Sequence, residues 1–126
     1  MPHHVSKARF AELVEKAAAT LPPQFADALN EVPIEIRDRP SPAMLKSLGL
    51  NHDELLLGLY HGRPITERSV EDSGRLPDVI YIFQEDVELA SESEPDLIEQ
   101  VKTTVLHELG HHFGMSEEDL DALGYG

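Results

Sequence analysis

Two histidines and a glutamate stand close together near the end of the chain. His107, Glu108 and His111 form the pattern H-E-x-x-H within a segment whose apolar spacing predicts a helix. Residues four apart lie one turn apart on the same helix face, so both imidazoles can reach one metal ion. The adjacent glutamate then points beside the metal, where its carboxylate can take a proton from bound water. The spacing therefore predicts a catalytic zinc site.

Each of these side chains also has a purely structural interpretation. His107 and His111 could lie on a helix surface near its C-terminus, where the helix dipole favours a positive charge. Glu108 could be a surface acid paired with His112, four residues further on. We favour metal binding by the two histidines and a general-base role for Glu108. Because His112 is rotated by about 100° from His111 around the helix, we expect it to be a cap or surface group.

A long helix must carry this pattern. Ser93 and Asp96 have the spacing of a capping box, and Gly114 stands where a left-handed glycine commonly ends a helix, so the helix is predicted over about 94–113. Four apolar residues at helical spacing predict its buried stripe: Leu97, Val101, Val105 and Leu109. The capping-box spacing recurs after Gly114 and predicts a short last helix over about 117–123.

Shorter elements precede the long helix. Apolar periodicity predicts helices over about 6–20 and 23–31, and strands over 32–37, 55–61 and 79–83. The remaining segments are predicted as connections over 38–47 and 84–92, a turn at Leu76-Pro77-Asp78, and a hairpin arm starting at Ile65. Helices, then strands, then helices indicate an α+β fold with a small mixed or antiparallel sheet. The length fits one domain over residues 1–126.

The composition is that of an acidic globular protein. Cysteine is absent, which excludes disulfides and thiolate metal sites. Twenty-four acids against ten bases give a formal net charge of −14, and residues 85–126 hold twelve of the acids. We therefore expect no nucleic acid or membrane partner and favour a metal ion or a basic peptide or protein. No apolar run approaches the roughly 20 residues that span a bilayer, and no secretory signal is visible, so we expect a cytoplasmic protein.

The chain resembles a known family well beyond the H-E-x-x-H pattern. Gly114 and Glu117 extend the pattern to H-E-x-x-H-x-x-G-x-x-(D/E), a form found in the zincin metallopeptidases. The small bacterial zincin-like metallopeptidase family, with its "minimal zincin" fold, is matched further by Phe10-x-x-Leu13-Val14, Leu21-Pro22-x-x-Phe25, Leu57 to Ser69, Leu76-Pro77-Asp78 and Thr104 to His107. The resemblance implies a compact domain whose active-site helix packs on a small sheet, and hydrolysis of peptide bonds by metal-activated water. It also implies that His107, His111 and Glu117 ligate zinc and that Glu108 is the base.

The chain departs from the family pattern near its end. Its third-ligand residue is Glu117, where the related form has Asp, and only nine residues follow it. There is no Met-turn or downstream wall, so we expect a shallow cleft or one shared with a partner chain. Glu117 also suits the first turn of a helix without any metal, because the helix dipole favours an acid there. The alternative function is a non-catalytic binding or regulatory module with a weak or empty metal site.

Other polar residues and one strand are secondary candidates. His61, Arg63 and Arg68 could orient substrate or stabilise an oxyanion, although structural roles for these hairpin charges are favoured. The strand 79–83 could add a substrate strand if it lies at the edge of the sheet. The sequence contains no G-x-S-x-G elbow, the motif that would indicate a serine nucleophile.

Overall fold

The computed structural model describes residues 2–62 and 78–122, which form six helices and three strands. The helices are α1 (Lys7–Ala19), α2 (Pro23–Ala28), α3 (Pro42–Ser47), α4 (Gln84–Leu89), α5 (Glu94–His112) and α6 (Glu117–Ala122). The strands are β1 (Ile34–Arg37), β2 (Gly58–His61) and β3 (Val79–Phe83). They form one sheet in the order β1-β3-β2, in which β3 is parallel to β1 and antiparallel to β2. The predicted α+β class and the mixed sheet are confirmed.

The apolar core lies between the sheet and the two longest helices. The predicted stripe of α5 is fully buried, and α1 packs against it with Phe10, Leu13 and Val14. Arg9 of α1 joins the same two helices at the surface, because its guanidinium donates two hydrogen bonds to Glu94 at 2.9 and 2.7 Å. The helix that carries the histidines is therefore held along its whole length by burial of its opposite face.

The central strand explains the most apolar run of the chain. Ile80 of β3 pairs with Ile34 on one side and with Tyr60 on the other. Ile80 and Ile82 are fully buried, as expected for a strand with neighbours on both sides and a helix on its face. A substrate strand could pair with 79–83 only if that strand lay at the edge of the sheet, and this condition is not met, because both edges of β3 are already paired.

Two segments predicted as connections contain helices. α3 begins after Ser41, whose hydroxyl accepts a hydrogen bond from Met44 N at 3.1 Å. α4 follows β3 directly and buries Val87 and Glu88. Helices of six residues are too short to be stable alone, so tertiary contacts form them and sequence periodicity does not reveal them.

Other predicted boundaries are close to those observed, and some lie outside the described residues. The strand predicted from Leu55 begins at Gly58, and the helix predicted to 31 ends at Ala28. The predicted hairpin arm at Ile65 and the start of the turn at Leu76-Pro77 fall outside the residues described. Among residues 2–62 and 78–122, no helix has the length and apolar character to cross a bilayer.

A buried carboxylate on α4 holds the N-terminal segment against the body of the protein. Glu88 accepts hydrogen bonds from Val5 N and Gln84 Nε2, both at 3.0 Å, and its other oxygen lies 3.1 Å from His4 Nδ1. Burial alone raises the pKa of this carboxyl, but the hydrogen bonds from Gln84, Val5 and His4 together outweigh burial and hold the pKa below its usual value. The ionised carboxylate therefore stabilises the folded state.

We expect Glu88→Gln to lower the free energy of unfolding at pH 7 by about 1.5–3 kcal/mol, the usual magnitude for hydrogen bonds to a charged group. Because the folded-state pKa lies below the unfolded one, this contribution is present above the unfolded pKa of about 4.5 and disappears as pH falls through the folded value. Urea unfolding of the wild type and of Glu88→Gln between pH 3 and pH 8 measures the difference in their free energies of unfolding. A difference that stays constant down to pH 3 would contradict the role of the Glu88 charge.

Candidate metal centre

The last two turns of α5 present the two motif histidines on one side. His107 and His111 are both half-buried, and their ring centroids lie 4.8 Å apart. This closeness follows from their spacing of four residues along a regular helix. Their Nε2 atoms both face Glu117, the first residue of α6.

The chain reverses direction immediately after α5. Gly114 has φ of 77°, a left-handed conformation that favours glycine. Its N–H donates to the carbonyl of His111 at 3.0 Å, and Met115 N donates to the carbonyl of Gly110 at 2.8 Å. This pair of bonds is a Schellman motif, so the predicted glycine cap is confirmed.

The short helix α6 begins with the predicted capping box. Ser116 N donates to Asp119 Oδ2 at 3.0 Å, and Asp119 N donates to Ser116 Oγ at 3.1 Å. These reciprocal bonds satisfy two backbone donors and fix where α6 starts. Glu117 is therefore the first helical residue after a rigid turn.

A glycine on α5 lets α6 fold back closely. Leu120 is fully buried and packs on Gly110, where an added Cβ would lie only 2.3 Å from Leu120 Cδ2. A larger residue at position 110 would force the Leu120 side chain, or α6 with it, to shift. The glycine inside the H-E-x-x-H pattern thus serves the packing that brings Glu117 to the histidines.

The carboxylate of Glu117 lies between the two imidazoles. Its Oε1 atom is 3.3 Å from His107 Nε2 and 3.5 Å from His111 Nε2. A tetrahedral zinc ion with bonds of about 2.0–2.1 Å would separate its ligand atoms by about 3.3–3.4 Å. Both distances from the carboxylate oxygen to the imidazole nitrogens match this separation, and a zinc ion held by these three residues would keep a fourth position for water or substrate.

Glu108 belongs to the same cluster but faces another group. His107, Glu108 and His111 offer ligand atoms that all lie within 4.8 Å of one another. Oε1 of Glu108, however, already accepts a hydrogen bond from Tyr60 N at 2.7 Å. Glu117, which contacts both imidazoles and is largely exposed, therefore suits a third ligand better than Glu108 does.

The surroundings of Glu108 shift its acidity. Burial raises the pKa of the Glu108 carboxyl, although the hydrogen bond from Tyr60 and the charges of His111 and His107 act in the opposite direction. Of the two Glu108 carboxylate oxygens, only Oε1 accepts a hydrogen bond from a residue that the structure describes. The interpretation of Glu108 as an ordinary surface acid does not fit this environment.

A cavity of about 230 Å³ opens beside the cluster. It lies between the chain leading into β2 and the outer turns of α5, and it is lined by Leu55, Leu56, Leu57, Gly58, Thr103, Thr104, His107 and Glu108. Apart from the last two residues, its side chains are aliphatic or hydroxyl-bearing. The cavity can take a small, mainly apolar group next to Glu108.

The prediction for His112 is wrong. Its side chain is 1% exposed, and its Nδ1 lies 3.4 Å from Oδ2 of Asp78, whose side chain is equally buried. The Tyr60 hydroxyl donates a hydrogen bond to the same Asp78 oxygen. Sequence reasoning missed this group of three residues, which come from distant segments of the chain.

Of the remaining secondary candidates, His61 lies in the part of the chain that the structure describes, and no described contact joins it to the cluster. His61 ends β2, is exposed, and has its ring 6.2 Å from that of Tyr81. Arg63 and Arg68 lie outside the described residues.

Comparison with known proteins identifies the family and agrees with the fold. A family model described as zincin-like metallopeptidase matches residues 29–126, so the chain belongs to that family. A conserved hypothetical protein from Thermo thermophilus has a similar fold, with a TM-score of 0.56 and 22% sequence identity over 94% of this chain and 97% of that chain. A search of the curated proteins found no match. The family implies a metal ion, usually zinc, and the cluster on α5 could hold one.

We expect Gly110→Ala to weaken zinc binding by about 10–100-fold, because α6 and Glu117 must move away from the histidines. Alanine stabilises a helix by about 1 kcal/mol relative to glycine. We expect this gain to offset only part of the steric cost of the clash with Leu120. Isothermal titration of the metal-free protein with zinc measures the change. Adding Leu120→Ala to the Gly110→Ala protein should restore part of the zinc affinity. If the double variant instead loses the sum of the two single-variant losses in binding free energy, a direct clash is contradicted.

Proposed function

We propose that this protein is a zinc-dependent peptidase that hydrolyses peptide bonds with metal-activated water. The single observation that carries the proposal is that one carboxylate oxygen of Glu117 lies 3.3 Å from His107 Nε2 and 3.5 Å from His111 Nε2. Membership of the zincin-like metallopeptidase family supports the same activity. The proposed ligands are these three residues, and the proposed general base is Glu108.

The chemistry divides between the ion and the protein. Zinc, when bound by two histidines and a carboxylate, supplies a Lewis acid that lowers the pKa of water and polarises a carbonyl. Glu108 takes a proton from the attacking water on Oε2, because Oε1 is held by Tyr60 N. The water oxygen bonds to the peptide carbonyl carbon while one electron pair of the carbonyl double bond moves to the carbonyl oxygen. The double bond then re-forms, and the carbon–nitrogen bond breaks. Glu108 then returns the proton to the departing amine.

The cavity next to Glu108 supports a proposal for the side chain that the substrate places there. Its volume of about 230 Å³ and its leucine and threonine lining suit a small or medium apolar side chain. The net charge of −14 favours a peptide with basic residues further from the cleaved bond. We propose peptides or unfolded proteins of this kind as substrates.

Glu108→Gln should retain zinc and lose hydrolysis, because glutamine keeps the shape of the side chain but cannot accept the proton. The expected loss in kcat is about 100- to 10,000-fold, the usual range for a general base. Mass spectrometry of a mixed peptide library incubated with zinc-loaded protein gives the rates. The matched control is Glu99→Gln, an exposed acid on the same helix, which should cleave like the wild type. Unchanged turnover by Glu108→Gln would remove Glu108 as the base.

Protein purified without chelators should contain about one zinc ion per chain, as expected for a site with three protein ligands. Elemental analysis measures this content, and removal of the ion by a chelator should abolish hydrolysis until zinc is added back. His111→Ala should lower zinc affinity by at least about 100-fold, whereas His52→Ala, at an exposed loop histidine, should leave it unchanged. Protein that neither contains nor takes up zinc would exclude the peptidase and favour the binding-module alternative.

A further inference from the structure

A buried polar cluster lies between β2 and the end of α5, behind the proposed metal centre. The side chains of Asp78 and His112 are each 1% exposed. The Tyr60 hydroxyl donates to Asp78 Oδ2 and lies 3.4 Å from His112 Nδ1, and the same Asp78 oxygen is 3.4 Å from that nitrogen. Burying a carboxylate and an imidazole is costly unless they are paired, so this arrangement has a strongly preferred geometry.

Tyr60 contacts α5 at two points. Its backbone N–H donates to Glu108 Oε1 at 2.7 Å, and its side chain packs edge-on against His112 with ring centroids 5.8 Å apart. Glu108 and His112 are four residues apart and therefore share one face of the helix. The face next to it carries His107 and His111.

The register of the sheet explains why the Tyr60 amide is available. Phe83 N donates to the carbonyl of Leu57 at 3.0 Å, so Leu57, Leu59 and His61 form the hydrogen-bonded pairs with β3. The N–H of Tyr60 alternates with these and points away from β3, towards α5. Strand β2 approaches α5 closely at Gly58, where an added Cβ would lie only 2.6 Å from Thr104 Cγ2.

We propose that Tyr60 is a positioning residue for Glu108. Its amide fixes the orientation of the carboxylate, and its hydroxyl, anchored by Asp78 and His112, keeps the amide from moving away. The catalytic consequence rests on the proposed function, because Glu108 needs a defined direction only if it receives a proton. The physical consequence, a protected amide at Tyr60, does not depend on catalysis.

Tyr60→Phe tests the anchor, because it keeps the ring and the amide and removes only the hydroxyl. We expect the residue-60 amide to exchange with deuterium at least about tenfold faster and its proton resonance to shift upfield as the bond to Glu108 lengthens. In the zinc-loaded protein we expect kcat to fall by about 10–100-fold with KM within about twofold of the wild-type value. Zinc affinity should stay within about threefold, because the hydroxyl contacts none of the proposed ligands.

Tyr81→Phe is the matched control. Tyr81 lies directly opposite Leu59 on the neighbouring strand, with its ring stacked on Phe83 and next to Arg37. Loss of its hydroxyl should leave the Tyr60 amide and both kinetic constants unchanged. Equal effects of the two substitutions would indicate general loosening of the sheet and overturn the proposal. So would a Tyr60→Phe protein with wild-type amide protection and kcat.

Two substitutions at His112 test the other end of the anchor. Asn places an NH2 group where Nδ1 stands, so His112→Asn should keep most of the amide protection, whereas His112→Leu, which only fills the volume, should lose it. Equal protection in both variants would overturn the proposal. A wild-type protein that cleaves no peptide would contradict the proposed function only. The amide exchange comparison needs no substrate and no catalysis, so it would still test the role of Tyr60.

Discussion

The proposed metal centre depends on one contact, the packing of Leu120 on Gly110. The two histidines are adjacent on any regular helix, but the carboxylate that joins them comes from a separate helix after a reversal of the chain. The Schellman turn at Gly114 sets the direction of that reversal, and the missing Cβ at Gly110 sets its distance. A six-residue helix has little stability of its own, so the burial of Leu120 is what holds Glu117 at 3.3 and 3.5 Å from the imidazoles.

The features that sequence predicts correctly are local. The buried stripe of α5, the glycine cap and the Ser116–Asp119 capping box depend on residues within a few positions of one another, and each is observed as predicted. The pairing of His107 with His111 is of the same kind. The family resemblance rests on motifs spread over most of the chain, and the family match confirms the family over residues 29–126.

The features that sequence does not predict depend on distant partners. An N-terminal segment more than eighty residues away supplies two of the three hydrogen-bond partners of the buried Glu88, so α4 looks like an acidic connection in the sequence. The helix pattern predicts His112 at the surface because it does not show that β2 covers that face. Its partners Tyr60 and Asp78 come from two segments of the chain whose adjacency is known only once the sheet order is known.

The rotation of about 100° between successive helical residues gives the last turn of α5 two functions. Residues 107 and 111 face outward and remain half-exposed, which a metal ion needs for access by water and substrate. Residues 108 and 112 face β2, where one is oriented by a backbone amide and the other is fully enclosed. The same turn therefore carries the proposed ligands and the contacts that hold it still. Because both faces belong to one rigid helix, fixing the direction of Glu108 also fixes its position relative to the two histidines.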